Sequence, residues 1–372
     1  MKRKKVLHIV ESFGSGIFSF LVDLVNSTDE EFDITIGYGV RTETLESFRE
    51  YFSNKVKFIE VKNFTRSINP IKDLKAFFEV KRIIKEENPD IIHLHSSKAG
   101  FIGRFATNCK KKTMLYNPHG FSFLMRDSSK VKRLIYWCLE KVGALRNCTI
   151  VGCSYGEYQE ALKLSKNAIC VNNGININKL NKEVKAFEKH NIDFNNLKIC
   201  TSGRIGYQKN PELFNKIAEN FPNLKFTWIG DGELKDKLTS PNIKVTGWKT
   251  REEVLKIVND NDIFILTSLW EGLPISLLEA MYLKKVCIVT NCIGNRDVIK
   301  NGKNGFIIKT NDYKEIIEKI SLENYNEISK NAEKDILTVF NTDRMVKEYI
   351  LEYNKKWREE INEKSRVGYM LF

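Results

Sequence analysis

The chain has 372 residues, 42% hydrophobic and 29% charged, a length that suits two domains of roughly 150 to 200 residues and a composition that excludes a disordered or fibrous protein. Its eight cysteines form no CxxC pair and no His/Cys cluster at zinc spacing, which excludes a zinc module and points to packed, reduced thiols in a reducing compartment. The formal net charge of +13 gathers between Lys98 and Arg146, where eleven basic residues (Lys110 and Lys111 among them) meet only Asp127 and Glu140, so an anionic partner is expected for this face.

Met1-Lys-Arg-Lys-Lys5 resembles the start of an export signal, but the apolar run Val6 to Val10 ends at Glu11 and reads as a first buried strand. No run approaches the roughly 18 apolar residues of a membrane-spanning helix. A cytoplasmic protein, or one peripheral to a membrane, is expected. Gly14-Ser-Gly16 follows that strand and leads into Phe18, Leu21, Val22, Leu24 and Val25 at helical spacing. Further alternation predicts a strand over 33–38, an amphipathic helix over 72–87, and strands over 91–95 and 113–116. The polar, lysine-rich stretch 178–196 reads as a connector, and strands are predicted again at 197–201, 225–229, 263–266 and 286–289. The expected fold class is α/β: two doubly wound, Rossmann-like domains over 1–175 and 176–350. A terminal helical segment over 351–372, with Val346, Tyr349, Ile350 and Tyr353 on one face just before and within it, is expected to cross back to the first domain.

In such sheets ligands sit at the carboxyl ends of strands. After the strand ending at Thr201 come Ser202-Gly203-Arg204 and Lys209, two cations suited to a diphosphate without a metal. After the strand ending at Leu266 comes Glu271-Gly-Leu-Pro-Ile-Ser-Leu-Leu-Glu279, with a helix expected to start near Ser276 and to turn its amides toward the same phosphates. Glu271 is placed to accept from sugar hydroxyls and Glu279 from a ribose. Ser276 and Glu279 fit a helix capping box equally well. Asp260-Asn-Asp262 has the spacing of a metal-binding pair, but Asp262 reads as the residue opening a strand, and Asp231 as a turn residue.

Together with Gly203-Arg204, Lys209, Ile229-Gly-Asp-Gly232, Thr246-Gly247, Gly294 to Ile299 and Asn304-Gly305, the two glutamates with seven residues between them resemble glycosyltransferase family 4, of the two-domain GT-B fold. The resemblance spans nearly the whole chain. It implies a retaining transfer of a sugar from a nucleotide diphosphate, without an essential metal or other cofactor. Arg204 and Lys209 would bind the diphosphate, Glu279 the ribose, and Glu271 with the backbone of Gly272, Leu273 and Pro274 the moving sugar; Gly203 and Ser276 belong to the same donor site. A UDP-linked hexose or N-acetylhexosamine is expected from resemblance only.

His93-Leu-His95-Ser-Ser97-Lys98-Ala-Gly resembles transferases that extend lipid diphosphate-linked sugars of bacterial surface polysaccharides such as O-antigen and capsule. Ser97, Lys98 and Arg104 are then expected on the acceptor, although a capped helix with a solvated lysine fits the same residues. Family members keep a histidine near the reacting sugar, a role that falls to His119 in Asn117-Pro-His119-Gly120; His8, His93 and His95 read as packing or support residues. Gly14 and Gly16 are candidates for close approach by the donor diphosphate, but the loop is not GxGxxG and does not support a nicotinamide site. The helix around Leu134, Ile135, Trp137 and Cys138, set among cations, suits an anionic bilayer surface at the inner face of the plasma membrane, or else packs inward with a solvated basic face. No recognition motif for nucleic acid accompanies the charge. The rival readings are a sugar nucleotide 2-epimerase of the same fold and a nonenzymatic basic module.

Overall fold

Short apolar runs alternating with amphipathic helices build two parallel sheets, each covered on both faces by helices and loops. The computed structural model describes residues 3–368 except 12, 42–43, 66, 108–111, 188–191 and 310–311, and gives only the backbone of 15, 322 and 356–368. Cys109, Lys110 and Lys111 thus lie outside the described residues.

The first sheet contains β1 (Lys4–Val10), β2 (Phe32–Tyr38), β3 (Lys57–Glu60), β4 (Ile91–His95), β5 (Thr113–Asn117), β6 (Thr149–Gly152) and β7 (Ala168–Cys170), in the order β3-β2-β1-β4-β5-β6-β7. The second contains β8 (Lys198–Ser202), β9 (Lys225–Ile229), β10 (Ile243–Val245), β11 (Ile263–Leu266), β12 (Val286–Thr290) and β13 (Phe306–Ile308), in the order β10-β9-β8-β11-β12-β13. Strand order reverses between β1 and β4 and between β8 and β11, and in such sheets the crevice beyond the strands' carboxyl ends at that point receives the ligand.

The helices of the first half are α1 (Ser15–Asn26), α2 (Pro70–Glu87), α3 (Ser97–Ala106), α4 (Lys130–Gly143), α5 (Tyr155–Leu164) and the connecting α6 (Ile177–Val184). Those of the second are α7 (Pro211–Asn220), α8 (Arg251–Asn259), α9 (Ile275–Tyr282), α10 (Asn295–Val298), α11 (Tyr313–Glu318), α12 (Leu322–Thr338) and α13 (Thr342–Gly368).

The crossing helix differs from expectation in its start. It begins at Thr342 rather than 351, and Met345, Val346, Tyr349 and Tyr353 are already inside the core of the first domain. The chain clasps itself where it crosses: Ile175 N donates to Phe340 O at 3.0 Å and Thr342 N to Ile175 O at 3.0 Å. Gly174 permits this approach, since a Cβ there would lie 2.2 Å from the carbonyl carbon of Asn341.

Helix α4 is reversed relative to an ordinary surface helix. Its Glu140 is buried, while Val131, Leu134, Ile135 and Trp137 are exposed, Leu134 by 61%. The inward-packing reading is therefore corrected for Leu134, Ile135 and Trp137, which face outward, while the helix meets the core through Tyr136, Gly143 and the ion pair of Glu140 with Arg104.

Candidate active site

The carboxyl ends of β8 and β11 carry the cationic half of the site. Gly203 turns the chain at φ +142, and a Cβ on Gly230 would meet Gly203 O at 2.2 Å, so two glycine loops lie back to back beneath Arg204. Arg204 Nε donates to Glu233 Oε2 at 2.9 Å, with both side chains about half exposed. Lys209 closes a short turn whose carbonyl accepts from Thr267 Oγ1 at 2.6 Å, and its Nζ lies 2.7 Å from Glu271 Oε1. Glu271 also accepts from Ser268 Oγ at 2.6 Å and is buried. Glycine is required at 294, which has φ +83, because a Cβ would lie 2.6 Å from Gly272 O and 3.0 Å from Glu271 Cβ.

Helix α9 starts at Ile275, one residue before the expected position, with Pro274 as the N-cap and no side chain capping it. The capping-box reading of Ser276 and Glu279 is corrected: Glu279 is the fifth helical residue, too far along to reach back. Its Oε1 instead lies 2.5 Å from Arg251 Nη1 of α8, whose Nε donates to Glu183 Oε2 at 3.2 Å. Burial raises the Glu279 carboxyl above its ordinary value, while the Arg251 guanidinium pulls it down. Leu273 and Pro274 are buried beneath the loop, with Gly272 and Ser276 partly exposed.

The histidine loop of the first domain meets this loop across the cleft. A Cβ on Gly272 would lie 3.1 Å from Gly120 N and 3.2 Å from His119 C, which brings His119 and Glu271, chosen from separate motifs, into neighbouring loops. His119 holds φ +53, an uncommon conformation for a non-glycine residue. Its surroundings explain how it is held. Gly120 N donates to Glu157 Oε1 at 2.5 Å and Cys153 N to Glu157 Oε2 at 2.8 Å. On the other side of Pro118, Asn117 Oδ1 accepts from His93 Nε2 at 2.6 Å and Asn117 Nδ2 donates to Tyr349 Oη at 2.7 Å. His93 Nδ1 in turn accepts from Tyr353 Oη at 2.7 Å, so α13 pins the loop from behind.

Two expected acceptor residues, Arg104 and Lys98, are committed to partners within the first domain. Arg104 is fully buried: Nη2 bonds Glu140 Oε2 at 2.7 Å, Nε donates to Gly100 O at 2.8 Å, and the guanidinium carbon sits 4.5 Å from the Tyr116 ring centroid. An acceptor role for Arg104 is thereby corrected, since Glu140, 36 residues away, faces it from α4. Lys98 Nζ donates to Asp73 Oδ1 at 2.7 Å, Ser67 O at 2.6 Å and Thr65 Oγ1 at 3.1 Å, which uses its three protons to tie α3 to α2. Ser97 is partly exposed at the start of α3, its Oγ 3.1 Å from Ser122 Oγ. Gly14 caps α1, and Gly16 is exposed with open space around it. Asp262 is buried and accepts from Lys198 N at 2.7 Å, a strand-pairing role.

Between α1 and the second domain lies a cavity of about 520 Å³ lined by Phe18, Asp23, Lys179, Trp248, Arg251 and Ile275 among others. Arg251 therefore links this space to Glu279. Burial pushes the Asp23 carboxyl up to about 6, against the pull of Lys179 and Arg251. Glu157 and Arg251 were missed in the sequence, because neither falls in a motif and each acts through a partner distant in the chain.

Two facing doubly wound domains, with Arg204 and Lys209 at the strand ends of one and a histidine loop on the other, have the GT-B architecture of glycosyltransferases. The family model described as glycosyl transferases group 1 matches residues 181–336, and that described as glycosyl transferase 4-like matches residues 19–146. A UDP-Gal:alpha-D-GlcNAc-diphosphoundecaprenol alpha-1,3-galactosyltransferase of Escherichia coli is 31% identical over 323 residues, which cover 78% of this chain and 82% of that one. The chain belongs to this family of group 1, family 4-like glycosyltransferases. Among solved structures, sucrose-phosphate synthase of Thermosynechococcus elongatus has a TM-score of 0.77 at 12% identity, covering 96% of this chain and 100% of that one. Anabaena HepE in complex with UDP-glucose has a TM-score of 0.72 at 16% identity, covering 93% and 98%.

Proposed function

We propose that this glycosyltransferase moves a sugar from a UDP-linked donor, a hexose or N-acetylhexosamine, to a lipid diphosphate-linked saccharide in bacterial surface-polysaccharide synthesis, with retention at the anomeric carbon. The observation that carries the reading is the meeting of His119-Gly120 with Glu271-Gly272 beside Lys209. The names of the Escherichia coli relative and of the HepE complex support UDP, and the former supports the lipid diphosphate.

In this reading Arg204, Lys209 and the amides of α9 stabilise the departing diphosphate, where preorganised charge does most to lower the barrier. The bond from the anomeric carbon to the phosphate oxygen breaks as the acceptor oxygen bonds to the same face. The acceptor's hydroxyl proton passes to the departing phosphate oxygen, giving the glycoside and UDP. Glu271 and His119 orient the sugar, Glu279 takes the ribose, and no metal is assigned a part.

The exposed apolar face of α4 supports attachment to an anionic bilayer. Val131, Leu134, Ile135 and Trp137 stand out among Lys130, Lys132 and Arg133, and Ile71, Leu74 and Phe78 of α2 are exposed as well. No helix among the described residues is long and apolar enough to cross a membrane.

The test is transfer from a panel of UDP-sugars to a short lipid diphosphate-linked saccharide, followed by mass spectrometry. One donor is expected to extend the acceptor by a single sugar. Epimerised donor formed without acceptor, or no turnover with any donor, would contradict the reading. For the membrane part, sedimentation with phosphatidylglycerol vesicles is expected to exceed that with phosphatidylcholine and to fall at least tenfold in Leu134→Glu; equal sedimentation would contradict it.

A further inference from the structure

Behind His119 the first domain holds a line of imidazoles. His119 Nε2 is 3.0 Å from His95 Nδ1, and His95 Nε2 is 3.0 Å from His8 Nδ1. Ring centroids in both pairs are 5.3 Å apart, with interplanar angles of 19° and 21°, so the rings lie end to end along the hydrogen bonds instead of face to face. His8 and His95 are fully buried. They come from adjacent strands, with His8 opposite His93 and Val10 opposite His95, and the alternation of β4 keeps His93 and His95 on one face.

The ring nitrogens of His8, His93 and His95 lie close enough together to suggest a metal. The hydrogen bonds already described occupy both nitrogens of His93 and of His95, however, and leave His8 Nε2 as the one ring nitrogen of the three without a partner among the described atoms, one ligand where a metal needs several.

A neutral imidazole has one N–H and one lone pair, so a line of three can be polarised in only two directions. In one, His119 donates inward and the line ends in a buried His8 Nε2–H. In the other, His8 donates to His95, His95 donates to His119, and the line ends in a bare His8 lone pair. His8 Nε2 is buried and has no hydrogen-bond partner among the described atoms. An orphaned buried N–H is the rarer and costlier of the two ends.

We infer that His95 and His8 are positioning residues that fix the tautomer of His119, so that its Nδ1 carries the proton and points a neutral hydrogen-bond donor at the reacting groups. His119 then serves as a donor to a sugar hydroxyl or phosphate oxygen, and its Nδ1 has no lone pair with which to act as a base. The charge state agrees: burial lowers His119 to about 3 and His93 to about 4, and holds His8 and His95 well below the ordinary imidazole value. The catalytic part of this inference rests on the placement of His119 at the sugar under Proposed function; the tautomer itself does not.

The experiment is a long-range ¹H–¹⁵N correlation spectrum of the full chain labelled at its five histidines, assigned by single substitutions. At pH 7 His119 is expected neutral, with a protonated Nδ1 and a bare Nε2. In His95→Phe the tautomers of His119 should mix and kcat should fall about tenfold or more, the loss expected for one hydrogen bond, with donor KM little changed. His95→Gln, whose amide can donate to Nε2, should restore both. A His119 protonated at Nε2 or on both nitrogens, or an unchanged His119 tautomer in a folded His95→Phe, would overturn the inference. A correct tautomer in a chain that transfers no sugar would count against the proposed function and leave the relay standing.

Discussion

Lys209 Nζ and Glu271 Oε1, 2.7 Å apart, join the two motifs of the second domain into one group, with 17% and 9% of their side chains exposed. Lys209 is the cation that the proposed function assigns to the diphosphate, and Glu271 is its partner in the structure. Lys209→Ala is expected to lower kcat/KM for transfer by about 10²- to 10³-fold, the loss seen when one preorganised donor is removed. It should also lower the melting temperature, because Glu271 keeps its burial without its countercharge. Glu271→Gln should lose transfer with a smaller change in melting temperature. Steady-state kinetics with thermal unfolding checks both, and unchanged turnover in either variant would misplace the site.

Gly294 makes a second, steric prediction. Its φ of +83 is costly for alanine, and a Cβ would press on Gly272 O and Glu271 Cβ. Gly294→Ala should shift the glutamate loop and cut kcat/KM at least tenfold while the protein remains folded by circular dichroism.

Arg104 should behave as a structural residue. Arg104→Met leaves Glu140 buried without its countercharge, with Tyr116 Oη still donating to it at 2.6 Å, and breaking such a pair typically costs about 3 to 5 kcal/mol. Urea unfolding should show that loss with acceptor KM unchanged. A stable variant with a raised acceptor KM would return Arg104 to the acceptor site.

The buried histidines predict a pH dependence. In the unfolded chain an imidazole takes up a proton as pH falls through about 6.5, whereas folded His8 stays neutral well below that value. The unfolded state then binds more protons, so this contribution to stability is present above pH 6.5 and is lost as pH falls. Asp23, raised to about 6, acts in the opposite sense, and the comparison with a variant isolates the imidazole. Between pH 6 and 5, His8→Leu should lose stability less steeply than the parent by about 1.2 kcal/mol per pH unit, since the unfolded imidazole is not yet fully protonated at pH 6. Urea unfolding at each pH measures the slopes, and parallel slopes would mean that folded His8 takes up the proton too.

The two-domain fold was legible because buried parallel strands such as Ile91 to His95 and Ile263 to Leu266 are short apolar runs whose ends show in the sequence. Edge strands such as β7 and β13, three apolar residues each, are too short to stand out from loop sequence. That Arg204, Lys209 and Glu271 share the carboxyl ends of β8 and β11 was legible because each lies in the connection that follows one of these strands. Arg104 was misread because a cation on an amphipathic helix is normally solvated, and nothing near it announces Glu140 on α4. The pairing of Glu279 with Arg251 and the support of Gly120 by Glu157 depend on contacts between separate elements. The histidine line required the register of β1 against β4, which only the assembled sheet supplies.

Same-face displacement is read from the anomeric configuration of the product. A UDP-α-sugar should be transferred by the parent chain to a lipid diphosphate-linked saccharide, and the new linkage read by proton NMR through the coupling between H1 and H2. For a gluco- or galacto-configured sugar the small coupling of an α-linkage is expected. The large coupling of a β-linkage would mean inversion and would contradict same-face displacement at the site formed by His119, Lys209 and Glu271.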